Sequence, residues 1–168
     1  MVKKSTNYGN AWYALAATRI LLGFVFLWAF LDKMFGLGLA TKASNAWLTG
    51  GSPTDGFLRM GVNPDSPFAE FFHGLAGSPV VDYIFMLGLL GIGVALVLGI
   101  GLRIAAVTGT ALLLMMWAAS MPLENNPLVD DHIVYASVLW VIAAGRRELS
   151  AAKWWTNQET VKKNKWLW

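Results

Sequence analysis

The sequence predicts an all-α membrane protein in which four helices form a bundle. Charged residues make up 14% of its 168 residues, whereas soluble proteins have about 25%. The charges leave two long uncharged stretches, residues 83–102 and 104–123. As a helix, each stretch is long enough to cross the roughly 30 Å hydrocarbon core of a bilayer. The positive charges also lie mainly on one side of the predicted bundle, as expected for a polytopic membrane protein.

The first three spans are long apolar segments. We predict them at about residues 13–35, 80–100 and 104–121. Only the Gly-Leu-Arg segment at 101–103 separates the second span from the third, which predicts a tight antiparallel hairpin. The first segment, followed by small residues at 38–40, also has features of a cleaved signal peptide, but we expect it to remain as a span.

The fourth span is predicted at about 127–145 and is unusually short in uncharged residues. Its uncharged part, 133–145, is only about 20 Å long as a helix. To cross the bilayer, this span has to bring Asp131 and His132 into the outer boundary.

The distribution of charge predicts the orientation. With both termini in the cytoplasm, the inner side holds 10 of the 13 basic residues, and only Lys33, Lys42 and Arg59 lie outside. The prediction is therefore a multi-pass protein of the cell's inner or plasma membrane, N-in and C-in. Residues 146–168 form a cytoplasmic tail whose four tryptophans, among lysines, suit the headgroup layer.

The outer loop, about residues 37–79, is too long to be a simple link. The Asp-Ser-Pro sequence at 65–67 is typical of a helix start. An apolar stripe at i, i+3, i+4 and i+7 follows it: Phe68, Phe71, Phe72 and Leu75. We expect a short helix there in the outer interface, and a second short helix at 41–48.

Several classes of chemistry are excluded or disfavoured by composition. The chain has no cysteine, which rules out disulfides, thiolate metal sites and iron–sulfur clusters. Its two histidines, His73 and His132, stand in no haem-attachment or metal-ligand motif, so no haem or metal is predicted. The basic pI near 9.3 is explained by the membrane orientation and does not indicate nucleic-acid binding.

Ionisable residues at the outer membrane boundary are candidates for function. Asp32 and Lys33 end the first span, and Asp130, Asp131 and His132 begin the fourth. An unpaired charge there is costly, so we expect Asp131 or Asp32 to pair with Lys33 or His132. The alternative is that these residues are ordinary interfacial charges.

Three aromatic residues lie at a similar predicted depth: Trp28, Trp117 and Tyr135. They could wall a pocket for a planar, carbonyl-bearing headgroup such as a quinone. His132 would then exchange a proton, Asp131 would orient it, and Lys33 would stabilise developing negative charge. The alternative is a plain interfacial aromatic belt.

Two further features bear on packing. Small residues recur at four-residue spacing, which favours close helix contact within the bundle or in a dimer: Gly91, Ala95 and Gly99, then Ala105 and Gly109. Arg19, about one turn inside the inner boundary, is expected to snorkel or to pair with a lipid phosphate.

Short motifs over residues 14–145 resemble the DoxX family of small four-helix membrane proteins, which includes a membrane subunit of thiosulfate:quinone oxidoreductase. The motifs are Arg19-Ile-Leu-Leu-Gly23, Phe30-Leu-Asp-Lys-Met-Phe-Gly36, Gly88-Leu-Leu-Gly-Ile-Gly93, Gly99-Ile-Gly-Leu-Arg103, Asn126-Pro127 and Asp131-His-Ile-Val-Tyr135. The resemblance implies a quinone-linked redox role at the outer face, with a small sulfur compound as the donor.

Two functions remain open from the sequence. One is a subunit of a quinone-linked membrane oxidoreductase. The other is a non-catalytic accessory subunit that stabilises a larger respiratory or transport complex. Both imply a lipid bilayer and either a protein partner, in the membrane or at its outer face, or a homo-oligomer.

Overall fold

The computed structural model describes residues 9–168, and every regular element in that range is helical. The α-helices are α1 (Gly9–Phe35), α2 (Ala69–Leu75), α3 (Pro79–Leu98), α4 (Leu102–Ser120), α5 (Asp131–Ala144), α6 (Ala152–Thr156) and α7 (Glu159–Lys163). By length and composition α1, α3 and α4 can each cross a membrane, whereas α5 has only 14 residues. The predicted all-α class is confirmed. Lys3 and Lys4, part of the predicted inner charge, lie outside the described residues.

The hairpin between α3 and α4 forms as the sequence predicts. Pro79 occupies the first turn of α3, where its missing N–H costs no hydrogen bond. Gly99 and Gly101 have φ angles of 69° and 57°, in the left-handed region that glycine adopts without steric cost. This pair of glycines ends α3 and starts α4 within three residues.

The four longest helices pack in the order α1, α3, α4, α5. Helix α1 packs mainly against α3 and α5 mainly against α4, with α3 against α4 between them. Apolar side chains fill the shared core, among them Leu22, Phe26, Met86, Leu96, Leu139 and Ile142. Hereafter, the loop end is the end where α1 and α4 finish, and the hairpin end is the end with the α3–α4 turn.

Close approach between α1 and α3 depends on two glycines. A Cβ at Gly93 would lie 2.6 Å from Leu27 Cγ, and one at Gly23 would lie 2.9 Å from Leu96 Cβ. A Cβ at Gly91 would meet nothing within 4 Å. The prediction that Gly91 packs within the bundle is wrong, because that side of α3 faces away from the other helices, whereas a contact of Gly91 in a dimer stays a prediction.

Arg19 stabilises the hairpin end. Its side chain is only 2% exposed, and Nη1 donates to the carbonyl oxygens of Leu96 and Val97. Nη2 donates to the carbonyls of Glu148 and Leu149, at 3.2 and 2.8 Å. The expected snorkelling is wrong: the guanidinium binds the last carbonyls of α3 and the segment after α5, which lack helical partners.

The loop between α1 and α3 forms shorter helices than its sequence pattern suggests. Helix α2 begins at Ala69, not at 65–67. Ser66 Oγ donates to Ala118 O (2.9 Å) and so fastens the loop to α4. Of the apolar stripe, Phe72 is buried, whereas Phe68 and Phe71 stay exposed. The segment 41–48 forms two single 3₁₀ turns, Ala43–Asn45 and Trp47–Thr49, instead of one helix.

A buried carboxylate also fastens the loop. Asp82, in the first turn of α3, is 6% exposed, and its Oδ1 accepts hydrogen bonds from Ser52 Oγ (2.9 Å), Thr54 Oγ1 (2.6 Å) and Thr54 N (3.2 Å). A π-helical turn, Phe57–Gly61, follows this contact. The loop thereby covers the loop end of the helices.

Candidate functional site

The loop end contains one close pair of an acid and a histidine. His132 Nδ1 lies 2.7 Å from Asp130 Oδ2, and both side chains are largely shielded from solvent. Asp130 also caps α5, since its Oδ1 accepts from the backbone N–H groups of His132 and Ile133. One carboxylate therefore fixes the start of α5 and the orientation of the imidazole.

The environment of Asp130 favours its ionised form. Partial burial raises the pKa of the Asp130 carboxyl, but hydrogen bonds from the imidazole and backbone of His132 and from Ile133 outweigh it, so the pKa lies below its ordinary value. Because Asp130 is ionised at neutral pH and can only accept, its contact with His132 requires a proton on Nδ1 of the imidazole. The neutral imidazole then has its lone pair at Nε2, which has no hydrogen-bond partner within residues 9–168.

The predicted partner of His132 was the wrong carboxylate. Asp131 is exposed and makes no side-chain hydrogen bond to His132. Asp130, one residue earlier, takes that position because its extended backbone (φ −131°, ψ −171°) turns the side chain back over the first turn of α5.

A groove of about 620 Å³ opens next to Asp130, which lines it, whereas His132 is not among its lining residues. It lies between the loop residues 60–64 and the segment that joins α4 to α5. Its lining combines apolar and hydrogen-bonding groups, including Val62, Asn63, Leu123 and Val129. Three carboxylates also line it, those of Glu124, Asp130 and Asp131, with no basic residue among the lining groups. The groove therefore disfavours a small anion.

Asp32 and Lys33 take no part in this pair. Asp32 is 2% exposed, and its oxygens accept from the backbone N–H groups of Leu39 (3.4 Å) and Ala40 (3.1 Å). Lys33 Nζ lies 6.0 Å from the ring centroid of Phe85, the outer limit of a cation–π contact. Within residues 9–168, the ion pairs are Asp55–Arg59, Asp130–His132 and Glu159–Lys162, so the expected pairing of Asp32 with Lys33 or His132 is wrong.

The three aromatic residues do not wall a common pocket. Trp28 packs against Phe24 of its own helix, with ring centroids 5.9 Å apart. Trp117 Nε1 donates to the carbonyl of Leu128 at 2.9 Å, and Tyr135 is 40% exposed. Trp28 is on α1, which packs mainly against α3, whereas Trp117 and Tyr135 are on α4 and α5. The predicted aromatic pocket is wrong, and these three residues do not fit a quinone headgroup.

Sequence reasoning missed one buried charged group, Asp82, and gave two others the wrong role. Arg19 packs inside the hairpin end instead of reaching the lipid boundary, and Asp130, named with Asp131 and His132, is the acid that contacts His132. An Asp shortly before an apolar run is an N-cap signal, but the sequence does not show which of the two acids is the cap. Within residues 9–168, no group of three or more His, Cys, Asp or Glu side chains is placed to hold a metal ion.

Comparison of the chain with family models, with curated proteins and with solved structures finds no match.

Proposed function

We propose that this is a four-span membrane protein of the DoxX type, with both termini in the cytoplasm of an inner or plasma membrane. Three spanning candidates and the excess of basic residues at the hairpin end support this topology. Helix α5 is about 21 Å long. As the fourth span it would place the Asp130–His132 pair at the outer boundary.

Its proposed role is that of a subunit of a quinone-linked membrane oxidoreductase. The observation that carries this proposal is the 2.7 Å contact between Asp130 and His132, together with the groove at the loop end that Asp130 lines. A quinone bound near this pair would supply an acceptor for two electrons and two protons. The groove, and not the set Trp28, Trp117 and Tyr135, is the proposed place for its headgroup.

The chain's own residues would handle a proton at this site. Asp130 accepts a hydrogen bond from Nδ1–H of His132 and would stabilise the imidazolium, so Nε2 is the atom that would accept and release a proton. Asp130 is thus the positioning residue and His132 the proton carrier. The role given to Asp131 in the sequence-based hypothesis passes to Asp130.

The charge of the groove bears on the electron donor. A sulfur oxyanion such as thiosulfate would meet the carboxylates of Glu124, Asp130 and Asp131 at this surface. Repulsion would keep it away. We therefore place the oxidation of such a donor on a partner subunit, with this chain serving the quinone.

The test compares the two histidines of the chain. His132→Ala should abolish quinone-dependent turnover of the native complex and lower the amount of quinone that copurifies, with little change in thermal stability. His73→Ala is the matched control, because His73 is exposed on α2 and should leave both quantities unchanged. Asp130→Asn should shift the pH profile of turnover, since it changes the charge that faces Nδ1. Unchanged turnover in folded His132→Ala, with no quinone bound to the wild type, would refute the redox role.

A second candidate is a non-catalytic accessory subunit. The observation that favours it is the use of Asp32, whose two oxygens both bind loop N–H groups and so serve the fold alone. In that case His132→Ala would change assembly or stability of the larger complex and leave its turnover per assembled complex unaltered. Quantifying assembled complex separately from activity distinguishes the two candidates.

A further inference from the structure

A second groove lies at the hairpin end, between α4 and α5. It has a volume of about 590 Å³ and a mostly apolar lining. Val107, Thr108 and Ala144 form part of the lining, together with Trp140 and Trp166. Val107, Trp140 and Trp166 are 56%, 49% and 63% exposed, so nothing within residues 9–168 covers this apolar surface.

The mouth of this groove is positively charged. Arg103 lines it and is exposed, and its side chain makes one long hydrogen bond, from Nη1 to the carbonyl of Lys165 (3.4 Å). Arg147 is not among the lining residues, and its pKa is lowered first by burial and then by the positive charge of Arg103. Neither arginine has a carboxylate within 4 Å in residues 9–168. The exposed guanidinium of Arg103, without a carboxylate partner, would be stabilised by an anionic ligand.

The C-terminal segment holds this arrangement in place. Arg103 N donates to the carbonyl of Trp168, and Trp155 Nε1 donates to the carbonyl of Leu167 at 2.8 Å. Trp166 lies between Leu167 and Lys165, whose carbonyl accepts from Arg103 Nη1, and is thereby fixed beside α4. The wall of the groove is a folded part of the protein and not a loose tail.

We propose that this groove binds an anionic phospholipid from the cytoplasmic leaflet, with its phosphate at Arg103 and an acyl chain along α4 and α5. The occupant follows from the combination of charges and surfaces. A free phosphate would leave the apolar lining exposed, whereas a zwitterionic lipid such as phosphatidylcholine would bring a cationic ammonium group to the positive mouth together with its phosphate. The two tryptophans suit the boundary between headgroup and acyl chain. The inference uses the membrane placement proposed above but not the redox role.

The experiment measures lipid binding to the purified full chain in detergent. Native mass spectrometry and thermal unfolding would be followed while phosphatidylglycerol, phosphatidylcholine or inorganic phosphate is added. We expect phosphatidylglycerol to bind and to raise the Tm, and the other two to have little effect. Equal binding of phosphatidylglycerol and phosphatidylcholine would refute the proposal, and so would a full effect of inorganic phosphate.

Matched variants locate the site. Arg103→Gln should weaken phosphatidylglycerol binding about tenfold or more, because it removes a charge-assisted contact. Arg146→Gln is the control, since that guanidinium lies over the ring of Trp12, 5.5 Å from its centroid. Val107→Phe should block the acyl chain. Because Val107 is exposed, the larger side chain should leave the fold intact, and the Tm of the variant in phosphatidylcholine checks that it does.

The outcome is independent of the redox proposal. His132 lies at the loop end, so the His132→Ala protein should respond to phosphatidylglycerol as fully as the wild type does. Undiminished binding in both Arg103→Gln and Val107→Phe would show that the lipid binds elsewhere and would refute the assignment.

Discussion

Two glycines of α3, two residues apart, should respond in opposite ways to the same substitution. Successive helical residues are about 100° apart, so Gly91 and Gly93 lie on nearly opposite faces of α3. A Cβ at Gly93 would lie 2.6 Å from Leu27 Cγ and 2.9 Å from the backbone nitrogen of Leu27. A Cβ at Gly91 would meet nothing within 4 Å. Gly93→Ala and Gly91→Ala therefore separate packing from helix propensity.

The magnitude follows from two opposing terms. Replacing a helical glycine with alanine favours the helix by up to about 1 kcal/mol at either position. Overpacking costs about 1–3 kcal/mol, but only at Gly93, where α1 and α3 have to separate. Gly91→Ala should thus be neutral or slightly stabilising. Gly93→Ala should be destabilising by up to about 2 kcal/mol after the gain in propensity.

Unfolding by SDS titration in mixed micelles, followed by circular dichroism, measures the difference between the two variants. Gly23→Ala serves as a second packing variant from the α1 side, since its Cβ would lie 2.9 Å from Leu96 Cβ. The reasoning fails if Gly93→Ala is as stable as Gly91→Ala. It also fails if Gly91→Ala is the less stable of the two, because that side of α3 would then be in contact.

Three further predictions concern charge. Arg19→Met should destabilise the protein by at least about 2 kcal/mol in the same assay, because four carbonyls lose a charged donor; wild-type stability would show that these bonds contribute nothing. Because folding lowers the pKa of Asp130, its ionised carboxylate stabilises the fold at pH values above the ordinary pKa of 3.8, and this stability is lost as the pH falls through the folded-state pKa. Asp130→Asn should therefore make the Tm fall less steeply with acidification than in the wild type, and an equal fall in both proteins would contradict this. Reporter fusions after residues 55, 103, 126 and 168 should read outside, inside, outside and inside, and an outside signal at 103 would overturn the proposed topology.

The local features that the sequence predicted well are those that depend on one segment alone. The α3–α4 hairpin follows from two long apolar segments that only Gly101-Leu102-Arg103 separates, and its glycines take the left-handed conformation. Glycine conformation and helix length need no tertiary partner, so composition is sufficient for them.

The candidate site was predicted only in part. The short apolar run of α5 drew attention to the acids and the histidine at its start, but the carboxylate that pairs with His132 is Asp130. The choice between Asp130 and Asp131 depends on which residue is the N-cap, and helix ends are uncertain by a residue or two from sequence. A shift of one residue changes the direction of a side chain by about 100° on a helix.

The sequence by itself determined that the chain is all-α, with three helices able to cross a membrane, because hydrophobicity and length act segment by segment. Tertiary structure decided which faces meet. The residues of α3 are apolar on every face of the helix, because lipid and protein neighbours are equally apolar. The hydrophobic pattern of the sequence therefore does not distinguish the face of Gly93 from that of Gly91. The same cause separated Trp28 from Trp117 and Tyr135. Equal depth along the bundle does not place side chains together unless their helices are neighbours, and α1 packs mainly against α3.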